Sequence, residues 1–390
     1  MDTELWGKLP EDILPHILSR LPWWSMMKCR VVSKQWQSLL SDPIFLKIAV
    51  SSPGALDPPC CVLSNHKFYY VIINPDTQRC HAIPRDNMFP LQHHPEANRF
   101  QLHGTAGGLF FMQVAFQCRD RYLFNPLNGT QRLLPAVPPS PLLVLDSPWT
   151  KLHQPKTWMM VDDSGHLRLI CLQVRETPVG NPELVLWTVH TYDFVENGWR
   201  LHSTDLPGKR LEFCISATLL EGNVYLLVKT PVLFTGTGLT HRLFKAYARH
   251  MVEMSIKFTD GISALQIFQY QGALMLMAGT EEPRKPPFHV SIWKYDEILE
   301  SWENVVSMPQ DIVDTFYEEM SAEGGFYFDK EGDVCCFANR LDSEFIVMYH
   351  FVRNEWWHVS CSETVVDEFE KMKVVCRLTF LWQPRLDIFL

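Results

Sequence analysis

The chain has 390 residues, of which 46% are hydrophobic and 20% charged, and its formal net charge is −9. This composition suits one small and one large globular domain and argues against a disordered chain. The acidic balance argues against a nucleic-acid-binding groove, which needs clustered Lys and Arg to neutralise phosphates. No apolar run is long enough to cross a bilayer and the N-terminus has no secretory-signal pattern, so we expect a protein of the nucleus, the cytoplasm or both, without membrane contact.

The 11 cysteines occur singly or as adjacent pairs, without a CxxC motif or the Cys/His spacing of a zinc site. We therefore expect reduced, buried thiols and no metal or other cofactor. The sequence also lacks the Gly-x-Ser-x-Gly, HExxH and phosphate-loop motifs of common enzyme classes. The sequence therefore offers no recognisable motif of these enzyme classes.

The N-terminal part of the chain predicts a small helical domain. Six apolar residues recur there at helical spacing and fall on one helix face: Leu9, Ile13, Leu14, Ile17, Leu18 and Leu21. Pro10 suits the first turn of this helix and Pro22 ends it. Two more helices are predicted, one from about Ser25 and one that Asp42 and Pro43 interrupt. Roughly forty residues cannot bury so many apolar groups alone, so a partner surface is implied.

The motifs of this segment are specific. Residues 9–14 are Leu-Pro-Glu-Asp-Ile-Leu, residues 17–22 are Ile-Leu-Ser-Arg-Leu-Pro, and residues 29–36 are Cys-Arg-Val-Val-Ser-Lys-Gln-Trp. Their order and spacing resemble the F-box. The resemblance implies binding to a Skp-type adaptor, which joins a cullin scaffold and a RING protein in an SCF ubiquitin ligase. The adaptor-binding residues that it implies are Leu9, Pro10, Ile13, Leu14, Ile17, Leu18, Leu21, Pro22, Val31, Ser33 and Trp36.

One departure from the F-box pattern follows the second Leu-Pro pair. Trp23 and Trp24 stand where the family commonly has Pro or a small residue. We expect them to change the packing against the adaptor without abolishing it. The alternative interpretation of the whole segment is an amphipathic helical cap on the domain that follows.

A repeat of glycine followed by an apolar strand fills most of the remaining chain. Its five glycines are separated by 57, 57, 50 and 60 residues and are Gly108, Gly165, Gly222, Gly272 and Gly332. Each repeat predicts four strands, with the glycine in the turn between the first and the second. Four-stranded units at about fifty residues are typical of the blades of a β-propeller.

A sixth unit is incomplete in the sequence. Residues 68–84 predict the outer strands of a blade, and the apolar residues 374–382 are predicted to supply its innermost strand and close the ring. The arrangement resembles the kelch or F-box-associated, galactose-oxidase-like propellers of plant-type F-box proteins. The expected fold is therefore mainly β, with a three-helix F-box (1–48), a linker (49–60) and a propeller (61–390) of six blades or, alternatively, seven.

The predicted strand order also indicates where a substrate binds. Because neighbouring strands of a blade run antiparallel, the turns after the first and third strands lie at one end, and the other connections lie at the opposite end. Long segments are confined to the second set: 85–98, 136–156, 175–183, 230–241 and 281–288. Since binding residues concentrate on long loops, the predicted substrate contacts are Trp149, His153, Phe234, Arg284 and Phe288. The alternative is that these loops merely tolerate insertions.

An acidic segment from Asp311 to Asp333 predicts a solvated connector with an amphipathic helical turn. Its second interpretation is a contact for a basic substrate segment.

The F-box resemblance implies a non-catalytic subunit that binds an unidentified protein for ubiquitination. The alternative is an F-box scaffold or transcriptional cofactor whose partner is not degraded. An enzymatic propeller is disfavoured because no metal or paired-carboxylate motif accompanies it.

Overall fold

The structure is a computed structural model, and all statements about absence or number below concern the residues that it describes. These are residues 13–29, 32–51, 59–64, 69–75, 79–84, 100–114, 120–138, 155–162, 164–176, 184–209, 213–230, 240–247, 250–254, 262–282, 285–318, 326–339, 345–360 and 378–385. Five helices are described: α1 (Ile13–Leu18), α2 (Trp23–Cys29), α3 (Lys34–Leu39), α4 (Pro43–Ser51) and α5 (Gln310–Glu318).

The described strands form six four-stranded antiparallel sheets, which are the blades of a six-bladed β-propeller. Blade 1 contains β1 (Cys60–Ser64), β2 (Tyr69–Asn74), β3 (Arg79–Pro84) and β24 (Leu378–Trp382); blade 2 contains β4 (Phe100–Ala106), β5 (Leu109–Val114), β6 (Arg121–Phe124) and β7 (Gln131–Leu133); blade 3 contains β8 (Lys156–Val161), β9 (Leu167–Glu176), β10 (Leu184–Asp193) and β11 (Gly198–Lys209). Blade 4 contains β12 (Phe213–Leu220), β13 (Asn223–Thr230), β14 (Thr240–Tyr247) and β15 (His250–Met254); blade 5 contains β16 (Ile262–Tyr270), β17 (Ala273–Glu282), β18 (Lys285–Asp296) and β19 (Ser301–Ser307); blade 6 contains β20 (Phe326–Glu331), β21 (Val334–Asn339), β22 (Phe345–His350) and β23 (Glu355–Ser360).

The chain divides into two compact units. The first contains α1–α4, blade 1 and blade 2, and the second contains blades 3–6 and α5. Within each unit the first strands of neighbouring blades contact one another: β24 with β4 in the first unit, and β12 with β8 and β16 in the second. These strands are therefore the innermost of their blades. The blade number agrees with the six predicted from the glycine repeat.

Blade 1 confirms that the end of the chain supplies an innermost strand, but it corrects how that strand pairs. β24 pairs with β1, from Cys60 opposite Trp382 to Ser64 opposite Leu378, and β1 pairs in turn with β2. The sequence interpretation missed β1 and placed the C-terminal strand directly beside residues 68–84. A run of five residues, Cys-Cys-Val-Leu-Ser, is too short to show strand alternation, which explains the error.

The glycine repeat marks tight hairpins, as predicted. Gly165, Gly222 and Gly272 have φ of +77°, +76° and +72°, and the residues before two of them, Glu221 and Gln271, have φ of +49° and +48°. Two consecutive residues with positive φ form the hairpin turn whose twist matches that of the flanking strands. The local conformation therefore requires these glycines.

The turn after the third strand is also a repeated structure. In blade 3 the Asp193 Oδ1 atom accepts hydrogen bonds from the backbone N–H groups of Val195 and Glu196, at 2.8 and 3.3 Å. Tyr192 packs on Trp199 with ring centroids 5.1 Å apart. The equivalent Tyr–Trp pairs of blades 5 and 6 have centroids 5.2 and 4.7 Å apart. A Tyr–Trp pair therefore packs the turn after the third strand in blades 3, 5 and 6.

Side chains between neighbouring blades form the cores. One buried cluster joins blades 3 and 4, a second joins blades 4 and 5, and a third joins blades 5 and 6. Helix α5 belongs to the third: Val313 is buried and Ile312 packs beside it, whereas Asp311 and Asp314 are exposed. The acidic segment therefore contains the predicted amphipathic helix.

Gly108 of blade 2 has a second role besides its turn. Its φ is +80°, and a Cβ atom placed on it would lie 2.5 Å from the Cβ atom of Arg385. The amide of Asn125 donates a hydrogen bond to the Arg385 carbonyl at 2.9 Å, and the Thr105 hydroxyl donates to the Leu381 carbonyl. The residues that follow β24 therefore lie directly on the turns of blade 2.

Replacing Gly108 with alanine is expected to destabilise the protein more than the same change at Gly222. Both glycines have positive φ, which costs about 1–2 kcal/mol for an L-residue, but a Cβ at Gly222 would meet nothing within 4 Å. The overlap with Arg385 should add about 1–3 kcal/mol at Gly108 alone. Differential scanning calorimetry of the two variants measures the difference. Equal melting temperatures would show that the Arg385 segment does not pack there.

Candidate functional site

The four N-terminal helices form a small domain with its own core. Its buried side chains, including Leu18, Phe45 and Leu46 at 0–1% exposure, come from α1 and α4 and are joined by residues of α2 and α3. Ser33 caps the N-terminus of α3, and its hydroxyl accepts a hydrogen bond from the Trp36 backbone N–H at 3.1 Å. These contacts hold four short helices that would be marginal alone.

The domain contains a fourth helix, α4, at the position where the sequence analysis expected the helical region to be interrupted. Pro43 does not interrupt the helical region; it is the first residue of α4, where its fixed φ and missing N–H are tolerated. The Asp42 carboxylate precedes it and accepts the Ile44 backbone N–H at 2.7 Å. The expectation of three helices is therefore corrected to four, because Asp-Pro at this position is a helix start.

Three large apolar side chains of this domain are exposed. Ile13 of α1 is 44% exposed, Val32 before α3 is 48% exposed, and Ile44 of α4 is 71% exposed. Helices α1 and α4 contact each other, so Ile13 and Ile44 lie on neighbouring elements. A small domain that exposes several large apolar groups presents a surface suited to a protein partner.

The predicted adaptor-binding residues fall into three groups. Ile13 and Ser33 are exposed, while Leu14, Ile17, Leu21 and Pro22 are partly buried. Leu18 and Trp36 lie within the core of the domain, with exposures of 1% and 9%. Leu9, Pro10 and Val31 lie outside the described residues. A direct adaptor contact stays a prediction for the whole set, and the structure adds Val32 and Ile44 as candidates that the sequence interpretation missed.

The helical domain has a small excess of basic side chains, in contrast to the chain as a whole. Residues 8–51 contain six basic and three acidic side chains, whereas the chain has a net charge of −9. Arg20, Lys28, Lys34 and Lys47 are exposed. A partner with an acidic surface would therefore be attracted to this domain at long range.

The described residues offer little reactive chemistry. Burial raises the pKa of the Cys214 thiol to about 12, against the weaker opposing effects of Lys156 and a backbone hydrogen bond to Ser216. Burial also lowers the pKa of His190 to about 4, so its ring is neutral at pH 7. No group of three or more His, Cys, Asp or Glu side chains in the described part of the chain could hold a metal ion. None of the described helices is long and apolar enough to cross a membrane.

Comparison with known proteins identifies the helical domain. Residues 6–48 match the F-box-like family model. An F-box/kelch-repeat protein of Arabidopsis thaliana is 22% identical over 373 residues, which cover 93% of this chain and 84% of that protein. A putative F-box protein of the same plant is 23% identical over 392 residues, which cover 94% of this chain and 93% of its own. The N-terminal region is an F-box-like domain.

Other matches are more limited. F-box only protein 6 of Arabidopsis thaliana is 24% identical over 143 residues, so the match spans 35% of this chain and 28% of that protein. Among solved structures, an oligogalacturonate lyase in complex with manganese aligns with 75% of this chain and 70% of its own at 10% identity and a TM-score of 0.42. The F-box match ends at residue 48, within α4, which continues to Ser51.

Most of the predicted substrate contacts lie outside the described residues, namely Trp149, His153, Phe234 and Arg284. Phe288 falls within β18. Segment 281–288 is not a long loop, because β17 extends to Glu282 and β18 begins at Lys285, and these two residues pair. Pro286 and Pro287 suggested a loop, but they fall at a register shift between two paired positions of the ladder, where proline is tolerated. A role for Phe288 in binding stays a prediction.

Proposed function

We propose that the protein is the substrate-recognition subunit of an SCF-type ubiquitin ligase. The F-box docks a Skp-type adaptor, the adaptor joins a cullin scaffold and RING protein, and the propeller binds the protein to be ubiquitinated. The observation that carries the proposal is an F-box-like domain with exposed apolar and basic side chains, joined to a six-bladed propeller. Such a subunit performs no covalent chemistry; it accelerates ubiquitin transfer by raising the local concentration of the acceptor lysine.

The position at which the F-box joins the propeller supports a substrate site at the opposite end of the strands. Cys60, the first residue of β1, pairs with Trp382, and the chain after Trp382 lies on Gly108 and Asn125 in the turns of blade 2. Strand β1, the first strand after the F-box, therefore begins at the end of the blades that carries the short turns. The opposite end, with its long connections, is the proposed substrate face.

The test uses substrate capture. The parent chain and its Ile13→Asp/Ile44→Asp variant, which keeps the F-box folded against blades 1 and 2, are expressed with affinity tags, and proteins bound to each are quantified with and without proteasome inhibition. A ligase substrate should bind both chains, should accumulate on inhibition only with the parent chain, and should lose binding when Trp149, His153, Phe234, Arg284 and Phe288 are replaced by alanine. A partner whose abundance ignores the inhibitor would instead identify a scaffold or transcriptional cofactor.

A further inference from the structure

Trp23 of the F-box is buried in the propeller rather than in the F-box. Its side chain is 4% exposed and belongs to the cluster that also contains Cys60 and Val62 of blade 1 and Phe110 and Met112 of blade 2. The separate core of the F-box does not include it. Trp23 is thus a large aromatic side chain of one domain inserted into the core of the next.

Helix α2 connects the two cores. Met26 lies three residues after Trp23, on the same helix face, and it packs against both the F-box core and the core of blades 1 and 2. Lys28, on the same helix, is exposed. One face of α2 therefore makes the apolar packing of the F-box continuous with that of the first two blades.

We infer that Trp23 is a positioning residue that locks the F-box onto blades 1 and 2, so that a bound adaptor is held in one orientation relative to those blades. The part that concerns the adaptor rests on the proposed function. The locking itself rests only on the packing of α2. This role differs from the one expected from the sequence, in which Trp23 changes the packing of the F-box against the adaptor.

A domain that packs against its neighbour has a fixed orientation, whereas a domain joined only by a flexible chain reorients freely. Eight residues, 52–59, separate the end of α4 from the start of β1. A flexible chain of that length has a root-mean-square end-to-end distance of about 15 Å, so on its own it would let the F-box move over that range relative to blade 1. Ubiquitin transfer requires an acceptor lysine to stay close to the conjugating enzyme, so removing this freedom raises the effective concentration at the reacting atoms.

The test measures distances between the F-box and blade 2 in the full chain. Spin labels on non-canonical amino acids replace exposed Lys34 of α3 and Leu133 of β7. Double electron–electron resonance should give one narrow distance distribution in the parent chain. Trp23→Ala should broaden it about threefold, the scale of a flexible tether, whereas Trp23→Phe and the exposed control Lys28→Ala should leave it narrow.

Two controls separate positioning from folding and from the proposed function. Trp23→Leu, which keeps an apolar side chain of smaller volume, should broaden the distribution less than Trp23→Ala and lower the melting temperature less, because it leaves a smaller cavity in the core of blades 1 and 2. Adaptor affinity should change less than about twofold in the three Trp23 variants, because Trp23 is not part of the F-box core. A broad distribution in the parent chain, or an unchanged one in Trp23→Ala, would overturn the inference. A parent chain with a narrow distribution but no adaptor binding would refute the proposed function and leave the positioning role standing.

Discussion

Replacing Ile44 with aspartate is expected to abolish adaptor binding without unfolding the F-box. Ile44 is 71% exposed, so a charge there is solvated in the unbound protein. On binding, the same charge would enter an apolar interface without a partner, which costs several kcal/mol. The dissociation constant for the Skp-type adaptor should rise by about 100-fold or more. Isothermal titration calorimetry, with circular dichroism as the folding check, measures both effects.

A matched control lies in blade 3. Val195 is also 71% exposed, and Val195→Asp should leave adaptor affinity unchanged because this turn is not part of the F-box. Ile13→Asp, at the 44% exposed position of α1, should reproduce the effect of Ile44→Asp. If the Ile13/Ile44 double variant bound the adaptor with parental affinity, the exposed apolar side chains would not be the docking surface.

The basic charge of the F-box predicts a kinetic signature of the same encounter. Surface charges mainly change the association rate, and salt screens them with a Debye length of about 10 Å at 0.1 M. Adaptor association should therefore slow as salt is raised, while dissociation changes little. The apolar substitution at Ile44 should act on dissociation instead.

The propeller could be predicted from the sequence because its determinants are local. Gly222 and Gly272 each lie in a two-residue turn whose positive φ values restrict the choice of residue. The Tyr–Trp pairs are separated by seven residues and pack within one hairpin. Features of this kind repeat with the blade and remain visible in a single sequence.

The sequence predictions were wrong where one residue type, proline, is compatible with two different local structures. Pro43 begins a helix here, although proline more often marks a helix end when it follows an apolar run. Pro286 and Pro287 suggested a loop and instead lie at a register shift within a hairpin. In each case the sequence motif was recognised, and the surrounding strand or helix decided its role.

The sequence predicted that the C-terminal strand joins blade 1, but it did not predict individual side-chain contacts between distant parts of the chain. Nothing in the residues around Trp23 indicates that this side chain belongs to the same buried cluster as Cys60 and Phe110. Nothing around Gly108 indicates that Arg385 packs on it. For the adaptor face, the helical motif predicted Ile13, but Ile44 was missed because its helix was taken as an interruption.

A chain that ends at residue 377 is expected to lose the fold of blades 1 and 2. It lacks β24, which pairs with β1 over five positions. Leu381 is fully buried, and Phe380 packs against the cluster between blades 1 and 2. Burial of one such side chain is worth about 1.5–3 kcal/mol. Losing both, together with their hydrogen bonds, removes a large part of the 5–15 kcal/mol that stabilises a typical domain.

The truncated chain should also aggregate, because removing β24 exposes the backbone N–H and C=O groups of β1 as an unprotected edge. The matched control is a chain that ends at Arg385, which retains β24, the Thr105–Leu381 and Asn125–Arg385 hydrogen bonds and the contact with Gly108. It should remain soluble and melt at the parental temperature. Size-exclusion chromatography and calorimetry compare the two chains. If the chain ending at residue 377 were monomeric and melted like the control, β24 would not be needed to close blade 1, and the propeller would have to be stabilised without its C-terminal strand.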